Sequence, residues 1–136
     1  MNNASRDIAD KLVNLTSSSS VLKLTLGSNL FVGRQPTNPE NCVTIVDRPS
    51  WPMNINLDGS CDFDYASIQV NVRNRSYNAA ATMAQAIIEL LHGANNFKIN
   101  ATDYFVCMCV SGPSLLEWDQ NNRAILICDF DIQRRR

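Results

Sequence analysis

The segment from Tyr65 to Gly93 constrains the fold more than any other part of this sequence. Polar and apolar side chains alternate over residues 65–74, which is typical of a strand with one face on a core. Apolar residues then recur every three or four positions over 76–92, which predicts an amphipathic helix with Gly93 as its C-terminal cap. A long strand followed directly by such a helix predicts a sheet with a helix packed on it.

The rest of the chain predicts a second helix and several shorter strands. The helix covers residues 5–16, with Ser5 as its cap and an apolar stripe on one side. Strands are predicted at 21–26 and 30–32, paired as a hairpin, and at 42–46, 104–110 and 124–132. These elements predict one domain over residues 1–136 with an α+β fold: a mostly antiparallel sheet, two helices packed on one face, and a long β-arm or loop.

Two segments do not fit a packed core. Residues 48–62 contain two prolines and several turn-forming residues, so they are predicted to form a projecting arm. Trp51 and the short alternation of Met53, Ile55 and Leu57 give this arm an aromatic anchor and strand-forming residues, so we expect it to become ordered against a neighbour. The run 134–136 is predicted to be a basic tail.

Composition excludes several classes of protein. The net charge is −1 and the pI about 5.7. These values argue against sequence-specific DNA binding, which usually needs a basic surface. No apolar run approaches the roughly 20 residues of a membrane span, and no signal peptide opens the chain, so synthesis in the cytoplasm is expected. The five cysteines include no CxxC pair, and we expect them to be reduced, small apolar side chains.

Catalytic motifs are not found. The sequence has neither a dinucleotide-binding nor a phosphate-binding glycine motif, and its one histidine, His92, is predicted to lie at a helix end. We therefore predict no enzyme activity, no metal and no cofactor. Asp129 and Asp131 share one face of the last predicted strand, so we expect basic partners for them, with Arg123 or the tail as candidates.

Candidate interface residues are aromatic or basic. Trp51 and Trp118 both lie in predicted loops, where an interface role and packing under the loop are equally favoured. Arg73 ends the polar face of a strand and Arg75 lies in the following turn, where an arginine can bind a neighbour's carboxylate with two hydrogen bonds. The alternative for this pair is a solvated turn.

The strand Ile68-Gln69-Val70-Asn71-Val72-Arg73, followed by a polar turn and the helix that ends at Leu91-His92-Gly93, resembles the tail-terminator and minor-capsid proteins of tailed bacteriophages. The proline-rich entry at 36–43 and the closing segments 119–123 and 129–132 are similar to that family too. The resemblance covers residues 5–133 in order.

That resemblance implies a non-enzymatic virion protein, made in the cytoplasm of a host bacterium. It implies a homo-oligomer, a hexameric ring on the last ring of the tail tube protein, which ends tail growth and joins a head–tail connector or neck protein. DNA would pass through the lumen without sequence-specific binding. The alternatives are another phage neck or head-completion protein, or a small cytosolic α+β protein-binding module. No membrane partner is expected.

Overall fold

The computed structural model describes residues 3–19, 22–49, 57 and 63–135. In chain order the elements are α1 (Ala4–Thr16), β1 (Leu30–Val32), β2 (Cys42–Arg48), β3 (Phe63–Asn74), α2 (Tyr77–Leu91), β4 (Ala94–Ile99), β5 (Thr102–Trp118) and β6 (Ala124–Arg135). The strands form one sheet in the order β1-β2-β3-β6-β5-β4, antiparallel except for the parallel pair β1–β2. The predicted α+β fold with a mostly antiparallel sheet is confirmed.

The strand and helix predicted most clearly from the sequence form the centre of the domain. β3 pairs with β2 on one side and with β6 on the other along nearly its whole length. α2 begins after Ser76, whose Oγ accepts a hydrogen bond from the backbone N–H of Ala79 at 3.3 Å. Gly93 follows its end with a φ of 83°, the left-handed conformation that favours glycine after a helix. The expected position of this glycine is confirmed.

The core lies between the helices and one face of the sheet, which we call the helix face. Both helices contribute side chains with no exposed surface, Ile8 and Leu12 from α1 and Ile87 and Leu91 from α2. The sheet contributes alternate residues of its central strands: Val43, Ile45, Ile68, Val70, Val72, Leu126, Cys128, Phe130 and Ile132. The opposite face, which we call the far face, carries the intervening residues of these strands.

Polar contacts attach α1 to the sheet. Asn3, not Ser5 as predicted, is its N-cap residue, and Ser5 instead donates from its N–H and its hydroxyl to the carboxylate of Asp47 at 3.1 and 2.8 Å. Asp7 is fully buried and accepts a hydrogen bond from the hydroxyl of Tyr104 in β5. These contacts fix the helix against two separate strands, and the Tyr104 hydroxyl supplies the donor that the buried Asp7 carboxylate needs.

The predicted basic tail is largely part of the sheet. β6 continues to Arg135, so Arg134 and Arg135 both pair with β3. Arg134 lies opposite Asp64, is 8% exposed, and its Nε donates to that carboxylate at 2.9 Å. The expectation of a tail differs from the structure because a cross-strand acid gives this arginine a buried partner. Arg136 lies outside the described residues.

The predicted N-terminal hairpin is wrong. Residues 22–26 form no strand, and β1 pairs with β2 in parallel, so the connection between them must cross a face of the sheet. The Asn29 side chain accepts from the N–H of Thr25 at 2.7 Å and donates to the carbonyl of Lys23 at 2.9 Å. Side-chain hydrogen bonds of this kind satisfy the backbone and compete with a strand ladder.

The end of the chain contains more strand than was predicted. β4 was not predicted, and it forms a hairpin with β5 through a two-residue turn. The predicted end of β5 near Gly112-Pro113 is also wrong, since the strand continues to Trp118. Pro113 lies where the register with β6 shifts between Ser111 and Ser114, and proline is tolerated at such irregularities of an edge strand.

Candidate functional site

The outer edge of β5 is covered along only part of its length. β4 pairs with β5 from Thr102 to Cys107 and no further. In the described part of the chain, no strand lies beside residues 110–118 on the side away from β6. We call residues 110–118 the β5 ribbon. A strand edge of this kind presents backbone donors and acceptors that can pair with another strand.

The β5 ribbon is also apolar. Val110, Leu115, Leu116 and Trp118 have exposed fractions between 41% and 55%. Met108, just before the ribbon, is 47% exposed. Scattered apolar side chains are common on protein surfaces, but several on one open strand edge indicate an interaction surface.

The sequence identified only one end of this surface. Trp118 was predicted to lie in a loop, and the structure places it at the last position of β5, half exposed. Leu115 and Leu116 were not recognised, because the predicted strand ended before Gly112 and Pro113. The available signal was the apolar content of residues 114–118, directly ahead of the polar turn at 119–123.

A second feature is the loop of residues 33–41, which crosses the far face between β1 and β2. Arg73 donates to the carbonyl oxygens of Thr37, Pro39 and Glu40 at 3.3, 2.6 and 3.3 Å. Arg123 donates to the carbonyl of Thr37 at 2.6 Å. Both arginines are buried, at 3% and 4% exposed. They hold the loop against the sheet, and the predicted interface role of Arg73 stays a prediction.

Arg75 lies in a different environment. Its guanidinium is mostly exposed, and its Nε donates to the Glu40 carboxylate at 2.8 Å. This hydrogen bond holds the pKa of Glu40 below its ordinary value. The pair lies on the outer side of the same loop, where both groups can also be reached by a neighbouring molecule. The predicted interface role of Arg75 stays a prediction.

Most of the predicted arm lies outside the described residues, including Trp51, Met53 and Ile55. Leu57, described within this segment together with Arg48 and Pro49, is fully exposed. The segment leaves the sheet after Arg48 at the end of β2 and returns at Phe63, the start of β3. A polar pocket of about 170 Å³ lies beside these two points, and Arg48 and Asp64 contribute to its lining.

The far face carries acidic residues with identified partners. Asp129 forms an ion pair with Arg48, with 3.0 Å between Nη1 and Oδ2. Asp131 accepts a hydrogen bond from the hydroxyl of Ser67 at 2.8 Å. Of the expected partners, Arg123 and Arg134 pair with other carboxylates instead. The neighbouring strands β2 and β3 bring other side chains closer to Asp129 and Asp131.

Two of the described cysteines are too deeply buried to be reactive. Burial raises the pKa of the Cys107 and Cys128 thiols to about 12, which disfavours the reactive thiolate. Four free cysteines are described, three of them buried, and Cys61 lies outside the described residues. Within 3–19, 22–49, 57 and 63–135, no group of three or more histidine, cysteine or acidic residues is placed to hold a metal ion. No helix in these ranges is long and apolar enough to cross a membrane.

Comparison with solved structures shows a shared fold at low sequence identity. A chain from the virion of a native gene transfer agent particle superposes with a TM-score of 0.64 at 9% identity, covering 94% of this chain and 92% of that one. A second solved structure gives a TM-score of 0.59 at 9% identity, with coverage of 96% of this chain and 92% of that one. No curated protein matches the chain.

A family model supplies the assignment that these distant structures cannot. The model described as bacteriophage tail terminator protein matches residues 12–136, and so includes all six strands and α2. This range agrees with the resemblance seen in the central strand and helix. The chain belongs to the bacteriophage tail terminator protein family.

Proposed function

We propose that this chain forms a closed homo-oligomeric ring, a hexamer, on the last ring of a phage tail tube. There it ends tube growth and provides the surface that joins the tail to a head–tail connector or neck protein. Membership of the tail terminator family supports the structural role in the tail. The family assignment argues against the alternative of a small cytosolic binding module.

The observation that carries the ring proposal is the β5 ribbon. The sheet leaves an apolar strand edge open where β4 no longer pairs with β5. Such an edge favours aggregation unless a partner covers it. A repeated contact between different surfaces of identical subunits covers every such edge when the ring closes.

The low net charge of the chain supports a ring whose lumen does not hold DNA tightly. The chain has a net charge of −1, and buried or neighbouring carboxylates pair with Arg123, Arg134 and Arg48. A ring built from such subunits would let DNA pass through its lumen without a strong electrostatic hold.

Electron microscopy of particles made without this protein tests the proposal. We expect tails of uncontrolled length, or heads and tails that remain separate. Light scattering coupled to size-exclusion chromatography supplies the second measurement, with a mass near six subunits expected at high concentration. Tails of normal length that are joined to heads in the absence of the protein would contradict the proposed function.

A further inference from the structure

We propose that the β5 ribbon binds the 50–62 segment of a second copy of this chain, with residues 53–57 adding a strand beside residues 114–118. The inference rests on the proposed ring and names the surface that forms it. The contact joins the open edge of β5 to a segment whose sequence pattern predicts a strand outside the core.

The two partners match in length and chemistry. Pro113 lacks a backbone N–H and lies at a register shift, so regular pairing on the open edge can begin only after it. Five residues, 114–118, then remain before the turn, and three of them expose apolar side chains: Leu115, Leu116 and Trp118. The alternating stretch from Met53 to Leu57 has the same length and also carries three apolar side chains. Main-chain pairing with apolar contacts is the usual mode of strand addition.

The segment of the same copy cannot reach the ribbon. Phe63 pairs with Arg135 at one end of the sheet, whereas Trp118 pairs with Ala124 at the other end. Ser114 and Asn71 both pair with Ile127, so they lie at the same level of the sheet. Asn71 is eight positions along β3 from Phe63, a distance of about 26 Å. Leu57 is six residues from Phe63 and can move at most about 20 Å away. The ribbon also lies two strands to the side, which increases the distance.

The same geometry makes the contact directional. Each copy offers its segment at one end of the sheet and its ribbon at the other. A contact between two different surfaces leaves one segment and one ribbon free after each addition, so it propagates from copy to copy until a ring closes. A two-fold dimer in which the two copies exchange segments would also use both surfaces but would stop at two copies, so the mass of the wild-type assembly distinguishes it from a ring.

Complementation between two variants tests the proposal. Leu116→Arg places a charge on the ribbon and leaves the segment intact, whereas Ile55→Arg does the reverse. We expect each variant alone to sediment as a monomer at a concentration where the wild-type chain associates. An equimolar mixture should form dimers and nothing larger, because the pair retains a single intact segment and a single intact ribbon. Sedimentation velocity with native mass spectrometry measures the species.

Leu15→Arg is the matched control, since Leu15 is an exposed leucine on α1, away from the ribbon. It should associate like the wild type, and thermal melts should show that all three variants are folded. A mixture that stays monomeric, assembly of either single variant, or equal loss of association in Leu15→Arg would overturn the proposal.

Phage particles separate this inference from the proposed function. If Leu116→Arg gives normal tails while removal of the protein does not, the ribbon contact is wrong and the terminator role stands. If removal of the whole protein leaves the tails normal, the terminator role itself is contradicted. Abnormal tails with Leu116→Arg and normal tails with Leu15→Arg support both.

Discussion

Two arginines two positions apart show how differently a charged side chain can act at the scale of a single residue. Arg73 is buried and donates to three carbonyl oxygens of the 33–41 loop, whereas Arg75 is exposed and pairs with Glu40. We predict that Arg73→Ala lowers the free energy of unfolding by about 1–3 kcal/mol, because it leaves buried acceptors without a donor. Urea denaturation measures this value.

Arg75→Ala is the natural comparison for that substitution. An exposed ion pair contributes little to stability, so the unfolding midpoint in urea should stay close to that of the wild type. Equal losses for the two variants would contradict the assignment of the loop-holding role to Arg73. A change in assembly for Arg75→Ala with no change in stability would support its predicted interface role.

The turn between β4 and β5 stores local strain. Asn100 and Ala101 have φ values of 50° and 64°, and a two-residue hairpin turn of this kind prefers asparagine followed by glycine. Alanine carries a Cβ that the left-handed conformation disfavours. We predict that Ala101→Gly stabilises the protein by about 0.5–1 kcal/mol, measured by thermal and urea unfolding.

The control for the turn is the same change in a helix. Ala81→Gly lies inside α2, where glycine lowers stability by about 1 kcal/mol. The two alanine-to-glycine substitutions should therefore shift the melting temperature in opposite directions. A loss of stability in Ala101→Gly would show that the turn conformation is not strained.

At the scale of elements, α2 packs against β3, β5 and β6 and so connects the helices to the centre of the sheet. Ile87 has no exposed surface and lies in the central cluster of the core. We predict that Ile87→Ala costs about 2–5 kcal/mol, from lost transfer free energy and the cavity that remains. Gln85→Ala, an exposed substitution in the same helix, should change the melting temperature little. An unchanged melt for Ile87→Ala would contradict the packing of α2.

Elements with a strong local pattern were predicted correctly from the sequence. The alternation in β3 and the three- and four-residue spacing in α2 both reflect burial on one side, which a periodic sequence records directly. Residues 22–26 also alternate, but side-chain hydrogen bonds take the place of a strand partner there. β4 has little periodic signal, because half of its residues are exposed and Asn96 interrupts it with a positive φ.

The candidate site was predicted only in part for a related reason. Trp118 was recognised because a large aromatic residue near a polar turn stands out in the sequence. The remaining apolar residues of the β5 ribbon were hidden by Pro113, which normally ends a strand but is tolerated on an open edge. The burial of Arg73 depends on a loop that is distant in sequence, and alternation along β3 carries no information about that loop.

At the scale of the whole molecule, the ring proposal couples stability to concentration. A folded ring that dissociates on unfolding becomes more stable as the protein concentration rises, by roughly 1 kcal/mol per subunit for each tenfold increase. For a chain of this size, that corresponds to a rise in melting temperature of about 3–5 °C. Differential scanning calorimetry over a hundredfold range of concentration measures the slope.

The ribbon variant distinguishes assembly from intrinsic stability in the same experiment. Leu116 is more than half exposed, so Leu116→Arg should melt at the temperature of the dilute wild-type chain and show no dependence on concentration. Leu15→Arg should keep the wild-type slope, because its side chain lies on α1 and outside the proposed contact. A wild-type melting temperature that is independent of concentration, in samples where light scattering shows a ring at every concentration, would mean that the subunits unfold without separating. An equal slope in wild type and Leu116→Arg would mean that the ring is held by surfaces other than the β5 ribbon.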